Sequence, residues 1–269
     1  MKFYLIPPNN NLGLMEYGDS YFCLAHHYLN NSSYKEYFLD IKKNNPKAFI
    51  TLDNGSAEHS IVDEKSLLSI VKELKPDEVI APDILFDKDQ TLVNLYSFVV
   101  KMVDLKYHRH TKIFGCPQGQ TKQEWKECFE QMAMNPLVST IGLSKIAVPK
   151  CWKNVTGDTA IAEARNECVE ELRNTGWMAY LITTKKSIHL LGMGEHTEFD
   201  AYVSKYLPIR SSDSCYTALA ALNNISFETG DITRVPTTND YFDTVMSEDQ
   251  IELAIKNIEF LKRKYGHNI

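Results

Sequence analysis

The chain alternates short β-type runs with longer helical patterns, and this alternation constrains its fold more than any other feature. Each β-type run is rich in aliphatic or aromatic side chains and ends in Gly or polar residues. Strands that alternate with helices build parallel sheets, and about eight of them favour a single (β/α)8 TIM-type barrel of the α/β class. A doubly wound open sheet is the alternative. The runs span 2–6, 21–28, 48–52, 78–81, 112–115, 139–143, 187–191 and 207–211.

Apolar residues at helical spacing follow most of these runs. The second run is ambiguous, because residues 23–29 also fit a helix. The predicted domain is one barrel over 1–269, in which 223–269 is an irregular segment followed by a C-terminal helix that Ser247 caps. The helical patterns cover 63–74, 88–105, 121–134, 159–175, 197–206, 214–222 and 247–264.

Composition excludes several classes of protein. Hydrophobic residues make up 43% of the 269 residues, so bulk disorder is excluded. No apolar run approaches the roughly 20 residues that span a bilayer, and the N-terminus does not resemble a signal peptide, so we expect a cytoplasmic protein without membrane contact. The six cysteines are scattered, which predicts reduced thiols and no cysteine-rich zinc site. The net charge of −6 argues against a generally basic nucleic-acid binder, although local patches decide contact.

Polar residues and glycines follow six of the predicted strands. The carboxyl ends of all barrel strands lie at one end, where functional side chains collect, so we expect these residues to converge there. Each residue also has a purely structural interpretation: Asp53 in a turn, Asp83 at a loop or helix entry, and Asp213 as a helix cap. The converging residues are Asp53, Asp83, Gln118, Gly142, Gly192 and Asp213.

The ordered set of strand-end motifs resembles the tRNA-guanine transglycosylase superfamily, whose members have an α/β barrel and exchange guanine for a 7-deazaguanine. The resemblance covers roughly residues 51–222. The form of the last motif is similar to that of the archaeosine branch. The motifs are Asp53-Asn54-Gly55, Asp83, Gln118-Gly119, Ile141-Gly142-Leu143, Leu191-Gly192-Met193-Gly194 and Asp213-Ser214-Cys215-Tyr216.

The resemblance implies a role for each matching residue. Asp213 is the nucleophile that forms a glycosyl-enzyme, and Asp53 is the general acid/base. Asp83 suits the N1–H and 2-amino donors of guanine, while the Gln118 amide and the Gly142 N–H suit O6. The implied substrate-binding set is Asp83, Gln118, Gly142, Leu143, Leu191 and Met193, with Leu191 or Met193 covering the ring.

The chain also departs from the family pattern. No cysteine follows Cys215, so the zinc subdomain of tRNA-modifying members is expected to be absent, and no metal or other cofactor is expected. Asn54-Gly55-Ser56-Ala57 replaces the usual Ser-Gly-Gly-aromatic motif, so the stacking aromatic is either missing or supplied from elsewhere. Trimmed relatives of this kind resemble phage and bacterial enzymes that modify DNA. The predicted reaction is therefore insertion of a 7-deazaguanine, with 7-cyano-7-deazaguanine favoured, into DNA in a bacterial or host cytoplasm.

Phosphate contacts require cations near the catalytic end of the barrel. We expect them from Lys145, Lys150, Lys153, Arg165 and Arg210. The protein is also a possible homo-oligomer.

Three alternatives stay open. The same exchange could act on tRNA, or the barrel could bind bases without catalysis. The histidines His26, His27, His59 and His189 could instead ligate a metal in a hydrolase barrel, although adjacent histidines on a strand would point to opposite faces.

Overall fold

The eight strands close into one parallel barrel. A computed structural model of the chain describes residues 1–57, 60–155, 160–202, 207–229, 235–236, 238 and 240–266. Every strand pairs in parallel with its two neighbours in sequence order, and the last strand pairs with the first. The predicted (β/α)8 fold is confirmed.

The strands are β1 Lys2–Leu5, β2 Ser20–Leu24, β3 Ile50–Asp53, β4 Glu78–Ile80, β5 Lys112–Gly115, β6 Val138–Ser144, β7 Ser187–Leu191 and β8 Ile209–Ser214. The helices are α1 Ala25–Asn30, α2 Ser32–Asn44, α3 Glu64–Leu74, α4 Lys88–Asp104, α5 Lys122–Met134, α6 Ala147–Lys153, α7 Ile161–Asn174, α8 Trp177–Thr183, α9 Tyr216–Leu222 and α10 Glu248–Tyr265.

The second strand is shorter than predicted, because the chain turns into α1 directly after Leu24. The Leu24 N–H donates to the Tyr34 hydroxyl at 2.9 Å. A side chain therefore satisfies this amide, and pairing with the neighbouring strands ends there. His26 and His27 lie in helix α1 and not on a strand, so the prediction that their rings point to opposite faces is wrong; the ring centroids are 4.3 Å apart.

Three helices were not predicted: α2, α6 and α8. Helix α2 buries only Tyr34 and Phe38 among mostly polar residues, so its apolar pattern is faint. The predicted helix over 197–206 is instead a short 3-10 helix over His196–Ala201. Residues 203–206 of that prediction, and residue 159 at the start of another, lie outside the described residues.

The C-terminal helix begins as predicted. The Ser247 side chain accepts from the Gln250 N–H, and the Gln250 side chain accepts from the Ser247 N–H, which forms a capping box. Helix α10 packs against α9, and the N-terminal ammonium of Met1 donates to the Tyr265 carbonyl at 3.0 Å. Within the described ranges, no helix is both long and apolar enough to cross a bilayer.

A buried ion pair crosses the amino-terminal end of the barrel. The Arg210 guanidinium on β8 donates to both carboxylate oxygens of Glu78 on β4, at 2.8 and 2.7 Å. Thr140 on β6 donates to the same carboxylate at 2.6 Å. Arg210 keeps the pKa of Glu78 below its ordinary value even though burial acts in the opposite direction. The pair therefore ties strands on opposite sides of the barrel.

We expect Arg210→Met to lower the free energy of unfolding by about 3–5 kcal/mol, because it leaves the fully buried Glu78 carboxylate without its counter-charge. Urea unfolding followed by circular dichroism measures this loss. The double variant Glu78→Leu/Arg210→Met removes both charges and should recover most of the stability. A single variant as stable as wild type would contradict the assigned role of the pair.

Candidate active site

A cavity of about 120 Å³ lies at the carboxyl end of the barrel and is surrounded by the strand ends. Its lining includes three carboxylates, two amides and a lysine among apolar side chains. The polar lining residues are Asp53, Asn54, Ser56, Asp83, Gln118, Ser144, Lys145, Asp213 and Ser214, and the others are Ile6, Phe22, Ala57, Ile80, Leu85, Cys116, Ile146, Leu191, Gly192, Cys215 and Phe242.

Asp213 lies within β8, one residue before its end, and not after the strand as predicted. Asp213 pairs with Tyr4 of β1, and Ser214 pairs with Leu5, so β8 extends to Ser214. Asp213 Oδ1 accepts from His189 Nε2 at 2.8 Å and from the Gly192 N–H at 3.0 Å. Gly192 has φ of +70°, a conformation that glycine adopts without strain. The carboxylate is thus held by donors from β7 and from the turn that follows it.

Asp53 ends β3 and combines both interpretations left open by the sequence. Its Oδ2 accepts from the Gly55 N–H at 2.9 Å, so it stabilises the Asp53-Asn54-Gly55 turn. Gly55 has φ of +81°, and a side chain there would collide with the Ser60 carbonyl. Asp53 also lines the cavity. The turn therefore holds the carboxylate at the cavity wall.

Asp83 is buried between two amides. Its Oδ1 accepts from Asn54 Nδ2 at 2.7 Å, and its Oδ2 accepts from Gln118 Nε2 at 2.6 Å. The Gln118 Oε1 atom accepts from the Phe86 N–H at 3.1 Å, so the amide is oriented with its nitrogen toward Asp83. Burial raises the pKa of Asp83, while the Asn54 and Gln118 bonds act in the opposite direction. Asn54 therefore also belongs to the site, although it was not among the predicted site residues.

Three of the predicted base contacts do not line the cavity: Gly142, Leu143 and Met193. Gly142 lies in the β6 ladder beside His189, and a Cβ there would come within 2.4 Å of Leu191 Cδ1. Its small size serves packing between β6 and its neighbours. Leu143 is fully buried in the hydrophobic core, as Met193 nearly is. Leu191 does line the cavity.

Of the five predicted phosphate contacts, Lys145 alone lines the cavity. Its backbone N–H donates to the Leu191 carbonyl, which places the side chain over Gly192. Lys150 donates to Asn154, and Lys153 is paired with Glu163 and Glu167. The charge of Lys153 is therefore already matched by acidic neighbours.

Arg165 is wrong as a phosphate contact, because it is completely buried. Its NH1 donates to the carbonyls of Leu143 and Leu191, and its NH2 donates to that of Gly192 at 2.7 Å. Glu198 neutralises it, with Nε and NH2 each 2.7 Å from a carboxylate oxygen. The guanidinium therefore clamps the ends of β6 and β7 together behind the cavity.

Arg210 is also wrong as a phosphate contact. It lies at the amino-terminal end of the barrel, opposite the cavity, where it is held by Glu78 and lies 5.3 Å from the centroid of the Phe49 ring. Arg210 precedes Asp213 by only three residues in the sequence. Three residues along a strand are about 10 Å, which separates the two ends of a short barrel strand.

The stacking aromatic that the Asn54-Gly55-Ser56-Ala57 segment lacks has two candidates in the cavity wall. Phe22 comes from β2, and Phe242 comes from the short 3-10 helix Tyr241–Asp243 in the C-terminal segment. The Tyr241 hydroxyl donates to the Ile6 carbonyl at 2.6 Å, which anchors this segment to the end of β1. No motif in the sequence linked Phe242 to the site.

Among the residues that the structure describes, no three His, Cys, Asp or Glu side chains lie close enough together to bind a metal ion, so the metal-dependent alternative has no candidate ligand set there. His189 is bonded to Asp213 and Ser211. His59 lies outside the described residues. All six cysteines are free thiols.

No protein-family model and no curated protein sequence matches the chain. The fold is similar to that of an HpcH/HpaI aldolase from Desulfitobacterium hafniense DCB-2, with a TM-score of 0.55 and 9% identity over 82% of this chain and 89% of that one. It is also similar to a mandelate racemase/muconate lactonizing enzyme from Roseiflexus sp., at a TM-score of 0.47 and 13% identity over 78% of this chain and 54% of that one. A third neighbour is KGPDC from Streptococcus mutans, with a TM-score of 0.47 and 8% sequence identity over 99% of both chains. The likeness to the aldolase supports the barrel fold and says nothing about the chemistry of the site.

We expect Arg165→Met to lower the free energy of unfolding by about 3–5 kcal/mol, because it leaves Glu198 buried without its counter-charge. Thermal and urea unfolding measure the loss. Lys153→Met removes a cation of α6 whose partners Glu163 and Glu167 are solvent-exposed, so it is the matched control and should unfold nearly as wild type does. Equal effects of the two substitutions would contradict the clamp.

Proposed function

We propose that this protein is an enzyme, a base-exchanging glycosyltransferase that replaces guanine in a polynucleotide with a 7-deazaguanine. The observation that carries the proposal is the convergence of Asp213, Asp53 and the Asp83–Gln118 pair on one cavity at the carboxyl end of the barrel. A nucleophilic carboxylate, a second carboxylate for proton transfer and a polar recognition pair are what such an exchange requires. The strand-end motifs, which resemble those of tRNA-guanine transglycosylases, support the same assignment.

In the first half-reaction, a carboxylate oxygen of Asp213 attacks C1′ of the target nucleotide. The C1′–N9 bond breaks, its electron pair goes to the guanine, and Asp53 supplies the proton that the departing base takes up. The product is a glycosyl ester of Asp213 and free guanine. The hydrogen bonds from His189 and from the Gly192 N–H hold the Asp213 carboxylate in position for this attack.

In the second half-reaction, the 7-deazaguanine occupies the place that guanine has left. Asp53 accepts the proton from its N9, N9 attacks C1′, and the ester bond to Asp213 breaks. Asp213 is regenerated as a carboxylate and Asp53 as an acid. The second half-reaction is the reverse of the first with a different base, so both can take place in the same cavity.

Base recognition falls to Asp83 and Gln118. The carboxylate of Asp83 already accepts one amide bond on each oxygen, and its remaining lone pairs suit the N1–H and 2-amino donors of guanine. Gln118 directs its nitrogen toward Asp83, and the second N–H of this amide has only a weak acceptor, Cys116 Sγ at 3.5 Å, so it is the donor proposed for O6. Adenine would place a donor against Gln118 and leave buried polar groups unpaired.

We propose DNA as the polynucleotide. The residues after Asp213 contain no cysteine beyond Cys215 from which the zinc site of tRNA-modifying relatives could be built. Lys145 at the cavity wall is the cation best placed for a phosphate of the target strand. The target nucleotide would leave its base stack to enter the cavity.

We expect wild-type protein to incorporate labelled guanine or 7-cyano-7-deazaguanine into DNA, and Asp213→Asn to lose at least about a thousandfold of this rate, because an amide is a poor nucleophile. Incorporation is measured in parallel on duplex DNA, single-stranded DNA and unmodified tRNA. A covalent protein–DNA adduct that survives denaturant should form with wild type and be missing with Asp213→Asn. The exposed Asp89→Asn is the matched control.

Each alternative gives a different result in the same assay. Incorporation into tRNA alone would replace DNA as the substrate and leave the residue roles unchanged. Activity abolished by a chelator would point to the metal-dependent hydrolase, and binding without exchange to a silent base-binding barrel. Full exchange by Asp213→Asn would eliminate the mechanism.

Base binding should weaken as the pH falls through the raised pKa of Asp83. Protonation of Asp83 turns one acceptor oxygen into a donor, and it opposes the donors of Asn54, Gln118 and the base. Because burial raises this pKa, the loss should occur at a higher pH than for an exposed aspartate, whose pKa is about 3.9. Calorimetric titration with 7-cyano-7-deazaguanine from pH 7 down to about pH 4 measures it. A dissociation constant that stays flat over this range would contradict recognition by the Asp83 carboxylate.

A further inference from the structure

The two oxygens of Asp213 have different surroundings. Oδ1 accepts both hydrogen bonds, from His189 Nε2 at 2.8 Å and from the Gly192 N–H at 3.0 Å. Oδ2 accepts no hydrogen bond from the residues that the structure describes. Since Asp213 lines the cavity, Oδ2 is the oxygen with lone pairs available to a substrate.

His189 is enclosed by the barrel core and does not line the cavity. It is completely buried, with the rings of Tyr4, Phe22 and Phe114 at centroid distances of 5.2, 6.0 and 5.4 Å. Phe22 stacks on the imidazole with 12° between the planes. Burial lowers the pKa of His189, although its bond to Asp213 acts in the opposite direction.

The hydrogen bonds at the two ring nitrogens of His189 select one tautomer. His189 Nδ1 lies 2.7 Å from Ser211 Oγ, and Ser211 Oγ accepts from Arg210 Nε at 3.2 Å. The Asp213 carboxylate can only accept, so Nε2 carries the single proton of the neutral imidazole, and Nδ1 accepts from the Ser211 hydroxyl. The charged groups that act on the ring are Asp213 at one end and Arg210 and Glu78 at the other.

We infer that His189 is the positioning residue of the nucleophile: a neutral imidazole that donates from Nε2 to Asp213 Oδ1 and thereby leaves Oδ2 to attack C1′. This inference rests on the proposed function and adds to it the attacking atom and the group that orients it. His189 touches neither the base nor the sugar position. It acts through Asp213 alone.

A neutral donor suits a nucleophile that must both attack and leave. When Oδ2 forms the ester to C1′, Asp213 loses its negative charge and Oδ1 becomes a carbonyl oxygen. A cationic partner would favour the free carboxylate more strongly over this ester, because the attraction between two full charges would be lost when the ester forms. A neutral N–H loses less when the ester forms, so the glycosyl-enzyme is accessible from both directions of the exchange.

The first test reads the tautomer without any activity. In protein labelled with ¹⁵N at histidine, we expect at neutral pH one imidazole, absent from the spectrum of His189→Gln, whose Nε2 is protonated and whose Nδ1 is not. Asp213→Asn should move the Nε2 resonance. Two protonated nitrogens, or a proton on Nδ1 alone, would overturn the inference.

The second test measures exchange kinetics. His189→Leu removes the donor at similar volume and should lower kcat by about 10²–10³-fold, the usual cost of one oriented donor, with KM for the base unchanged. His189→Gln keeps an N–H donor and should recover at least about tenfold in kcat.

A purely structural histidine would not produce this combination. His196→Leu, which removes a buried histidine near Tyr265 and outside the cavity, is the matched control and should retain the kcat of wild type. If His189→Leu kept the wild-type kcat in an active exchange assay, the inference would fail and the proposed function would stand. If no polynucleotide supported exchange, the proposed function would fail, whereas the tautomer would still be decided by the labelled spectrum.

Discussion

A chain of hydrogen bonds through the interior of the barrel organises the rest of the structure. It begins at the Glu78–Arg210 pair at the amino-terminal end, continues through Ser211 and His189, and ends at the Asp213 carboxylate in the cavity. Each buried polar group in this chain is satisfied by the next, as a buried polar network requires if it is not to destabilise the core. The same bonds that compensate the buried charges therefore orient the carboxylate at the opposite end.

A second arginine, which lies outside the strands, also stabilises the barrel. Arg165 on α7 binds three backbone carbonyls at the ends of β6 and β7, and Glu198 compensates its charge. The Gly192 carbonyl that it holds belongs to the residue whose N–H donates to Asp213. The inner network and this outer clamp thus meet on the same turn. Two arginines that resemble solvent-facing cations in the sequence both act inside the fold.

The sequence predicted the strands well because β-type runs and turn residues are local signals. Asp53, Asp83, Gln118 and Asp213 could be placed at one end of the barrel, since a parallel barrel puts all carboxyl ends together. Gly142 and Leu143 show the limit of this reasoning: a strand-end position does not say which side chains face the cavity. Burial of Arg165 and the direction of Arg210 depend on Glu198 and Glu78, distant partners that no local pattern connects to them.

The same limit explains why the sequence did not identify Phe242, which supplies an aromatic face to the cavity. The loop after β3 has Ala57 at the position of the aromatic in the Ser-Gly-Gly-aromatic motif, while Asn54 donates its amide hydrogens to Asp83 and to the Ala81 carbonyl. Phe242 is brought to the same cavity by the C-terminal segment. Under the proposed function, recognition of the base edge and coverage of its face would be divided between these two segments, so that a substitution in one segment changes one property without changing the other.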